Sequence, residues 1–180
     1  MDEVLTDLLA SPAAVGVLRM IVRRPDVGRR ERLDEARLDV VEGLVGDNWR
    51  TRGSRHSPDG SAERDKQVTV MNARAAAAIA GEEERWPLAG DQLYVDLDIS
   101  EASLPAGSRL AIGSAALTVT APVHTGCRKF SDRFGVEALR WVASPEGRAL
   151  RLRGMYARVT AGGVVRVGDA IRVVLPAGGA

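Results

Sequence analysis

The stretch that decides the fold is Gly90-Asp91-Gln92-Leu93-Tyr94-Val95-Asp96-Leu97-Asp98-Ile99. Leu93, Val95, Leu97 and Ile99 alternate with Tyr94, Asp96 and Asp98. That period of two predicts a half-buried strand, one face on a core and the other toward water. The Gly-Asp pair in front is turn chemistry, because glycine supplies positive φ and aspartate can bond the neighbouring backbone. The same pair recurs at Gly46-Asp47 and Gly168-Asp169. The chain therefore reads as short strands punctuated by tight turns.

Working outward, residues 15–22 are β-branched and apolar and predict a strand that stops at Arg23-Arg24-Pro25. Residues 67–71 predict another, followed by Asn72 as N-cap of an alanine-rich helix over 73–80 that Gly81 can end. Residues 109–112 and 116–121 form two more strands around Gly113-Ser114, and residues 135–143 a helix ended by Pro145 and Gly147. Residues 150–160 and 164–175, joined at Ala161-Gly162-Gly163, close the pattern as a β-run. Val4, Leu5, Leu8 and Leu9 share a helical face within residues 1–10. Residues 29–41 can be read as strand or helix, and residues 50–65 are a long polar loop. Seven or so short strands with few helices and no evident βαβ alternation predict a mainly β fold. We expect one domain over residues 1–180, a closed or partly closed β-barrel with a few short peripheral helices and a core at about 14–175.

The bulk numbers exclude several function classes. With 45% hydrophobic and 27% charged residues and a net charge of +1, the chain has the composition of a soluble globular protein. Acids interleave with the basic residues, so nucleic acid is not an expected partner. No apolar run reaches the roughly 18–20 residues that span a bilayer, so no membrane is expected either. Asp2, Glu3 and Asp7 make the N-terminus unlike a secretory signal, and a single cysteine suits a reducing cytoplasm. Only two of the 25 basic side chains are lysines, Lys66 and Lys129. Against that arginine-rich background Lys129 is notable, two residues after the sole cysteine.

One cysteine with His56 and His124 cannot build a four-ligand zinc site of the Cys/His kind. Neither a phosphate loop ending in Lys-Ser/Thr nor a Gly-x-Ser-x-Gly elbow occurs. What remains is Pro122-Val123-His124-Thr125-Gly126-Cys127-Arg128-Lys129-Phe130, expected as a loop at the barrel rim. A thiolate is a nucleophile and a soft metal ligand, and neighbouring cations favour it over the thiol. Arg128 and Lys129 supply such charge, His124 lies three residues before, and Gly126 is expected to leave the sulfur uncrowded. A lone cysteine is also readily an inert small hydrophobe, and Arg128 and Lys129 ordinary surface charges. By the same weighing, Asp47 and Asp91 are turn formers before they are acids or bases.

Read together in order and spacing, several segments resemble the MOSC family. They are Gly43-Leu44-Val45-Gly46-Asp47, the Gly90-Asp91-Gln92-Leu93 strand start, the Ala111-Ile112-Gly113 turn, and Leu117-Thr118-Val119-Thr120 leading to Cys127. Arg153-Gly154-Met155-Tyr156-Ala157-Arg158-Val159, Gly163 and Val167-Gly168-Asp169-Ala170-Ile171 continue the pattern, over about residues 14 to 175. The family takes its name from the C-terminal domain of molybdenum-cofactor sulfurases. The resemblance implies a barrel of the pyruvate-kinase-barrel type. It also implies a cysteine, matched by Cys127, that carries persulfide sulfur or ligates molybdenum in the pterin cofactor; relatives include reducers of N-hydroxylated bases. The chemistry so implied is independent of pyridoxal phosphate. The sequence departs from the commoner motifs at Asn48-Trp49, Gly90-Asp91-Gln92 and Val123-His124-Thr125-Gly126, His124 standing where arginine is common.

Three readings stay open. In the first, the chain binds the molybdenum cofactor (molybdopterin) as an oxidoreductase. Cys127 is then the metal ligand, Arg128, Lys129 and Arg153 hold phosphate and pterin, His124 tunes the thiolate or relays a proton, and Asp47 and Asp91 support the cofactor site. A small-molecule substrate and an electron-donor protein would be its partners. In the second, Cys127 carries persulfide sulfur without metal. In the third, the barrel is a non-catalytic binding module.

Overall fold

The computed structural model describes residues 2–177; Met1 of the expected first helix lies outside the described residues. In chain order the elements are α1 (Asp2–Leu9), β1 (Val15–Arg23), β2 (Glu31–Leu33), β3 (Glu35–Asp39), β4 (Gly43–Leu44), α2 (Trp49–Arg52), β5 (Val68–Asn72) and α3 (Ala73–Ala80). There follow β6 (Leu93–Asp96), β7 (Arg109–Ile112), β8 (Ala115–Val119), α4 (Arg128–Ala143), α5 (Pro145–Ala149), β9 (Met155–Ala161), β10 (Gly163–Arg166) and β11 (Ala170–Val174). Short 3-10 helices, Arg64–Lys66 and Glu83–Ala89, lead into β5 and β6.

Seven strands close into a barrel in the order β11-β7-β8-β9-β5-β6-β1, with β1 returning to β11. The closing seam sets Val15, Gly16 and Val17 opposite Arg172, Ile171 and Ala170. Residues 29–41 resolve as strand: β2 extends from β1, and β3 joins β10 and β4 in a small second sheet. The barrel pairings are antiparallel except β5–β6, which is parallel. Together β5, α3 and β6 make one βαβ unit, a local exception to the expected absence of such units. Its cause is local: Asn72 Oδ1 accepts from the N–H groups of Arg74 (2.7 Å) and Ala75 (3.3 Å), so a helix starts where a hairpin turn would otherwise be needed.

Two cores meet at the barrel wall. Leu18, Ile21, Val70, Leu93, Val95, Leu117 and Ile171 belong to the cluster that fills the barrel. Met20, Val22, Met71, Tyr94, Trp86 and Phe130 belong to a second cluster under the helices. The register of β1 against β6 shifts between Leu18 and Met20. This bulge lets Leu18 and Ile21, three apart, serve the same cluster. β6 is shorter and more buried than the alternation predicted. Tyr94 is fully buried on the outer face, and its hydroxyl donates to the Trp86 carbonyl at 2.6 Å. The 83–89 turn and α3 cover the face that alternation assigned to water. The predicted helix at 135–143 is the second half of α4, which bends at Gly135 (φ 89, ψ 164) and begins at Arg128, directly after the cysteine. Residues 150–154 are not strand; β9 begins at Met155.

Candidate functional site

Two buried ion pairs organise the site. Asp47, of the first Gly-Asp turn, grips Arg24 at the end of β1: Oδ2 accepts from the Arg24 backbone N–H (2.9 Å) and Nε (2.8 Å), and Oδ1 from Nη2 (2.9 Å). Asp47 Oδ1 also accepts from the Trp49 N–H at 2.9 Å, and Arg24 Nη1 donates to the Gly90 carbonyl at 2.9 Å. Asp91, of the second turn, receives Arg153 Nη1 on Oδ2 at 2.6 Å. Arg153 Nη2 donates to the Ala89 carbonyl at 2.9 Å, and its guanidinium lies 5.0 Å from the Phe130 ring centroid. The turn aspartates thus hold arginines in place; both carboxylates are buried behind the cations rather than presented to a ligand.

His124 stands against the second pair. Its Nδ1 is 3.5 Å from Asp91 Oδ1 and its ring stacks at 4.5 Å on Tyr156. Burial first, then the positive charges of Arg153 and Arg24, holds the imidazole well below its ordinary pKa, so it is neutral at pH 7. Burial, with the Asp91 carboxylate, raises the Tyr156 hydroxyl.

Three cavities adjoin these groups. A chamber of about 390 Å³ is lined by Arg24, Arg52, Lys66, His124, Arg153 and Tyr156, with His56 and Glu63 at its wall. A second, of about 240 Å³, shares Arg24, Arg52 and Gly90 with the first and adds Arg30, Cys127, Lys129 and Arg133. A third, of about 180 Å³, lies against residues 120–126 and is lined also by Val142, Arg151, Arg153 and Met155. His124 and Arg153 border the first and third chambers, whereas Cys127 faces the second.

Cys127 is exposed and sits at the N-cap of α4, its carbonyl accepting from Phe130 and Ser131 N–H at 3.0 and 3.1 Å. Its side chain makes no capping bond, and the positive end of the helix adjoins it. Gly126 has a different role from the one expected. A Cβ there would meet Leu139 Cδ1 at 2.5 Å, so the glycine lets the loop pack on α4 rather than clearing the sulfur.

Of the sequence-predicted residues, the structure gathers Cys127 and Lys129 in one chamber and His124 and Arg153 at the adjoining one. Arg128 is exposed and lines none of these three cavities. Asp47 and Asp91 likewise line none of them. Arg24, Arg30, Lys66, Arg133 and Tyr156 were not singled out from sequence. Arg24 and Asp47 are 23 residues apart, and no spacing rule links a strand end to a distant turn. Among the described residues, Arg30, Arg52, Lys129 and Arg133 have no carboxylate partner. Desolvation and the nearby charges of Arg133 and Arg24 lower the Arg30 pKa, and desolvation with Arg24 lowers that of Arg52. Asp26 lines the second chamber and Glu63 the first, but neither pairs with these four cations; like charges so crowded are stabilised by an anion, which guanidinium groups hold bidentately.

No cluster of three or more His, Cys, Asp or Glu side chains suited to a metal ion occurs among the described residues, nor a helix long and apolar enough to cross a membrane. No curated protein matches the chain in sequence. Solved structures share the fold. The YUAD protein from Bacillus subtilis superposes with a TM-score of 0.62 at 18% identity, covering 88% of this chain and 95% of that one. YiiM from Escherichia coli gives 0.58 at 18% identity, covering 89% and 71%. YiiM from Geobacillus stearothermophilus gives 0.54 at 15%, covering 90% and 73%. The MOSC domain profile matches residues 53–172, two thirds of the chain, and on that match the protein belongs to the MOSC domain family.

Proposed function

We propose that this chain binds a phosphate-bearing molybdenum–pterin cofactor in the two joined basic chambers, with the Cys127 thiolate as metal ligand, and acts as an oxidoreductase on small N-hydroxylated substrates. The observation that carries this reading is the placement of the sole cysteine, exposed, in a chamber with four cations that lack carboxylate partners. The donor set fits the group: a soft sulfur for the metal and guanidinium and ammonium donors for phosphate. Arg30, Arg52, Lys129 and Arg133 would hold the anion. Arg24 and Arg153 would contribute charge while fixed by Asp47 and Asp91. His124 would handle a proton at the adjoining wall. When bound, the metal centre supplies the two-electron chemistry. The electrons would come from another protein, since one cysteine cannot hold an iron–sulfur cluster.

The exposure of Cys127 also favours a second reading, a persulfide carrier without metal, because sulfur transfer needs a sulfur that a partner can reach. One experiment separates the two. Wild type, Cys127→Ser and Lys129→Ala are produced in a host that makes the cofactor, and molybdenum, cyanolysable sulfur and melting temperature are measured. The cofactor reading expects molybdenum in wild type, its loss in Cys127→Ser with little change in melting, and partial loss in Lys129→Ala. Cyanolysable sulfur on a molybdenum-free wild type supports the carrier. Neither metal nor sulfur on wild type overturns both.

A further inference from the structure

Three buried polar atoms on neighbouring side chains have no hydrogen-bond partner: Asp91 Oδ1, His124 Nδ1 and Arg153 Nε. The side chains that carry them are 0%, 9% and 8% exposed. Such atoms are costly to leave unpaired, and clusters of them mark sites where function sets the arrangement. Two of them, His124 Nδ1 and Asp91 Oδ1, already face each other at 3.5 Å, a few tenths of an ångström beyond a hydrogen bond. Gly154, at φ +95, packs over the pair. A Cβ there would lie 3.3 Å from Asp91 Oδ1 and 3.4 Å from His124 Nδ1, and closer still to the Val70 carbonyl, at 2.6 Å.

We propose that His124 and Asp91 form a proton-transfer site. Asp91 Oδ1 takes the Nδ1–H of a neutral His124, and Nε2 is left as the proton acceptor toward the chambers that His124 borders. The ligand class is a small protic molecule, one bearing a hydroxyl, an N–H or a bound water. His124 is the catalytic residue and Asp91 the positioning residue. The geometry argues for this tautomer in three ways. First, Asp91 is an acceptor only, and its Oδ2 is committed to Arg153, so Oδ1 can be satisfied on the His124 side only by a donor. Second, Nε2 has no protein partner yet is absent from the buried orphan atoms, so it is the nitrogen that meets solvent. Third, the Tyr156 ring against the imidazole at 4.5 Å limits its rotation. The charged and titratable groups around the imidazole are Asp91, Arg153, Arg24 and Tyr156, with Arg52, His56, Glu63 and Lys66 lining the same chamber. In the step, Nε2 accepts the ligand's proton and the ligand keeps the electron pair as its conjugate base. The imidazolium holds its Nδ1–H on the Asp91 carboxylate, and the proton passes on to product or solvent, with no redox change at the histidine.

The inference rests on side chains of this protein alone and stands whether or not the cofactor reading does. Its test is the tautomer. The chain has two histidines, so His56→Gln leaves one imidazole signal in the two-bond proton–nitrogen spectrum of uniformly labelled protein. The expected pattern at pH 7 is a protonated Nδ1 and an unprotonated Nε2. Asp91→Asn, nearly identical in shape, should invert it. Arg153 Nη1 will keep the amide oxygen, which turns the amide N–H toward His124 Nδ1 and moves the imidazole proton to Nε2. A second readout is acylation by diethylpyrocarbonate, which attacks unprotonated imidazole nitrogen. Wild type should be modified at Nε2, and Asp91→Asn should lose that reactivity. An Nε2–H tautomer in wild type overturns the proposal, even if Asp91→Asn fails to fold. So does a folded Asp91→Asn with unchanged tautomer and reactivity, which would make the pair a packing contact.

Discussion

At the scale of single residues, His124 is a titratable side chain whose burial bears directly on stability near neutral pH. The structure keeps it neutral by burial and by Arg153 and Arg24, whereas the unfolded chain protonates it near the ordinary value of 6.5. Below that pH the unfolded state binds a proton that the folded state refuses, so stability present above about pH 6.5 is lost as the pH falls. We expect the free energy of unfolding to decline between pH 6.5 and 5 with a His124 contribution of up to about 1.4 kcal/mol per pH unit. Urea titrations of wild type and His124→Gln across that range would measure it. An identical slope in the variant would show that His124 titrates alike in both states.

Among the elements, α4 decides where the cysteine stands. Its first half carries Phe130 under Arg153 and Lys129 beside Cys127, and its second half carries Leu139 and Val142 against Gly126. Gly135 joins the halves in a backbone conformation open essentially to glycine, yet a Cβ there would meet nothing within 4 Å. Gly135→Ala should therefore cost of order 1–3 kcal/mol through the backbone alone. Because the halves would then tend to straighten, Cys127 should also react at a changed rate with a thiol reagent. Calorimetry and thiol titration check the two parts, and an unchanged melting temperature would rule out the strained joint.

For the whole molecule, closure of the barrel depends on the β1–β11 seam. Gly16 sits in it opposite Ile171, against the Asp96 carbonyl and 2.9 Å from Leu97 Cβ as measured from an added Cβ. Gly16→Ala must push β1 away from the chain leaving β6. Overpacking of this kind typically costs about 1–3 kcal/mol. Since one core fills the barrel, the loss should appear as a lower urea midpoint with the transition still single and its slope kept. A midpoint equal to that of wild type would show that the seam has slack.

Local pattern was enough to determine the Asn72 cap, several turns and the strands outside residues 29–41 and 150–154, because alternation, capping and positive φ act over a few neighbouring residues. The count of short strands suggested a barrel and the loop chemistry singled out Cys127 and Lys129; the family motifs strengthened both readings. Tertiary structure alone decided which face of β6 is dry, since Tyr94 is buried by helices that its own strand does not specify. It also gave Asp47 and Asp91, expected as supports of the site, their partners: they clamp Arg24 and Arg153, 23 and 62 residues away. The cationic chambers were out of reach for the same reason. Arg24, Arg30, Arg52 and Arg133 are scattered along an arginine-rich chain in which each looks like an ordinary surface charge. Only folding brings them together, Arg24 alone among them paired to a carboxylate, and the electrostatic character of a cleft is a property of that proximity.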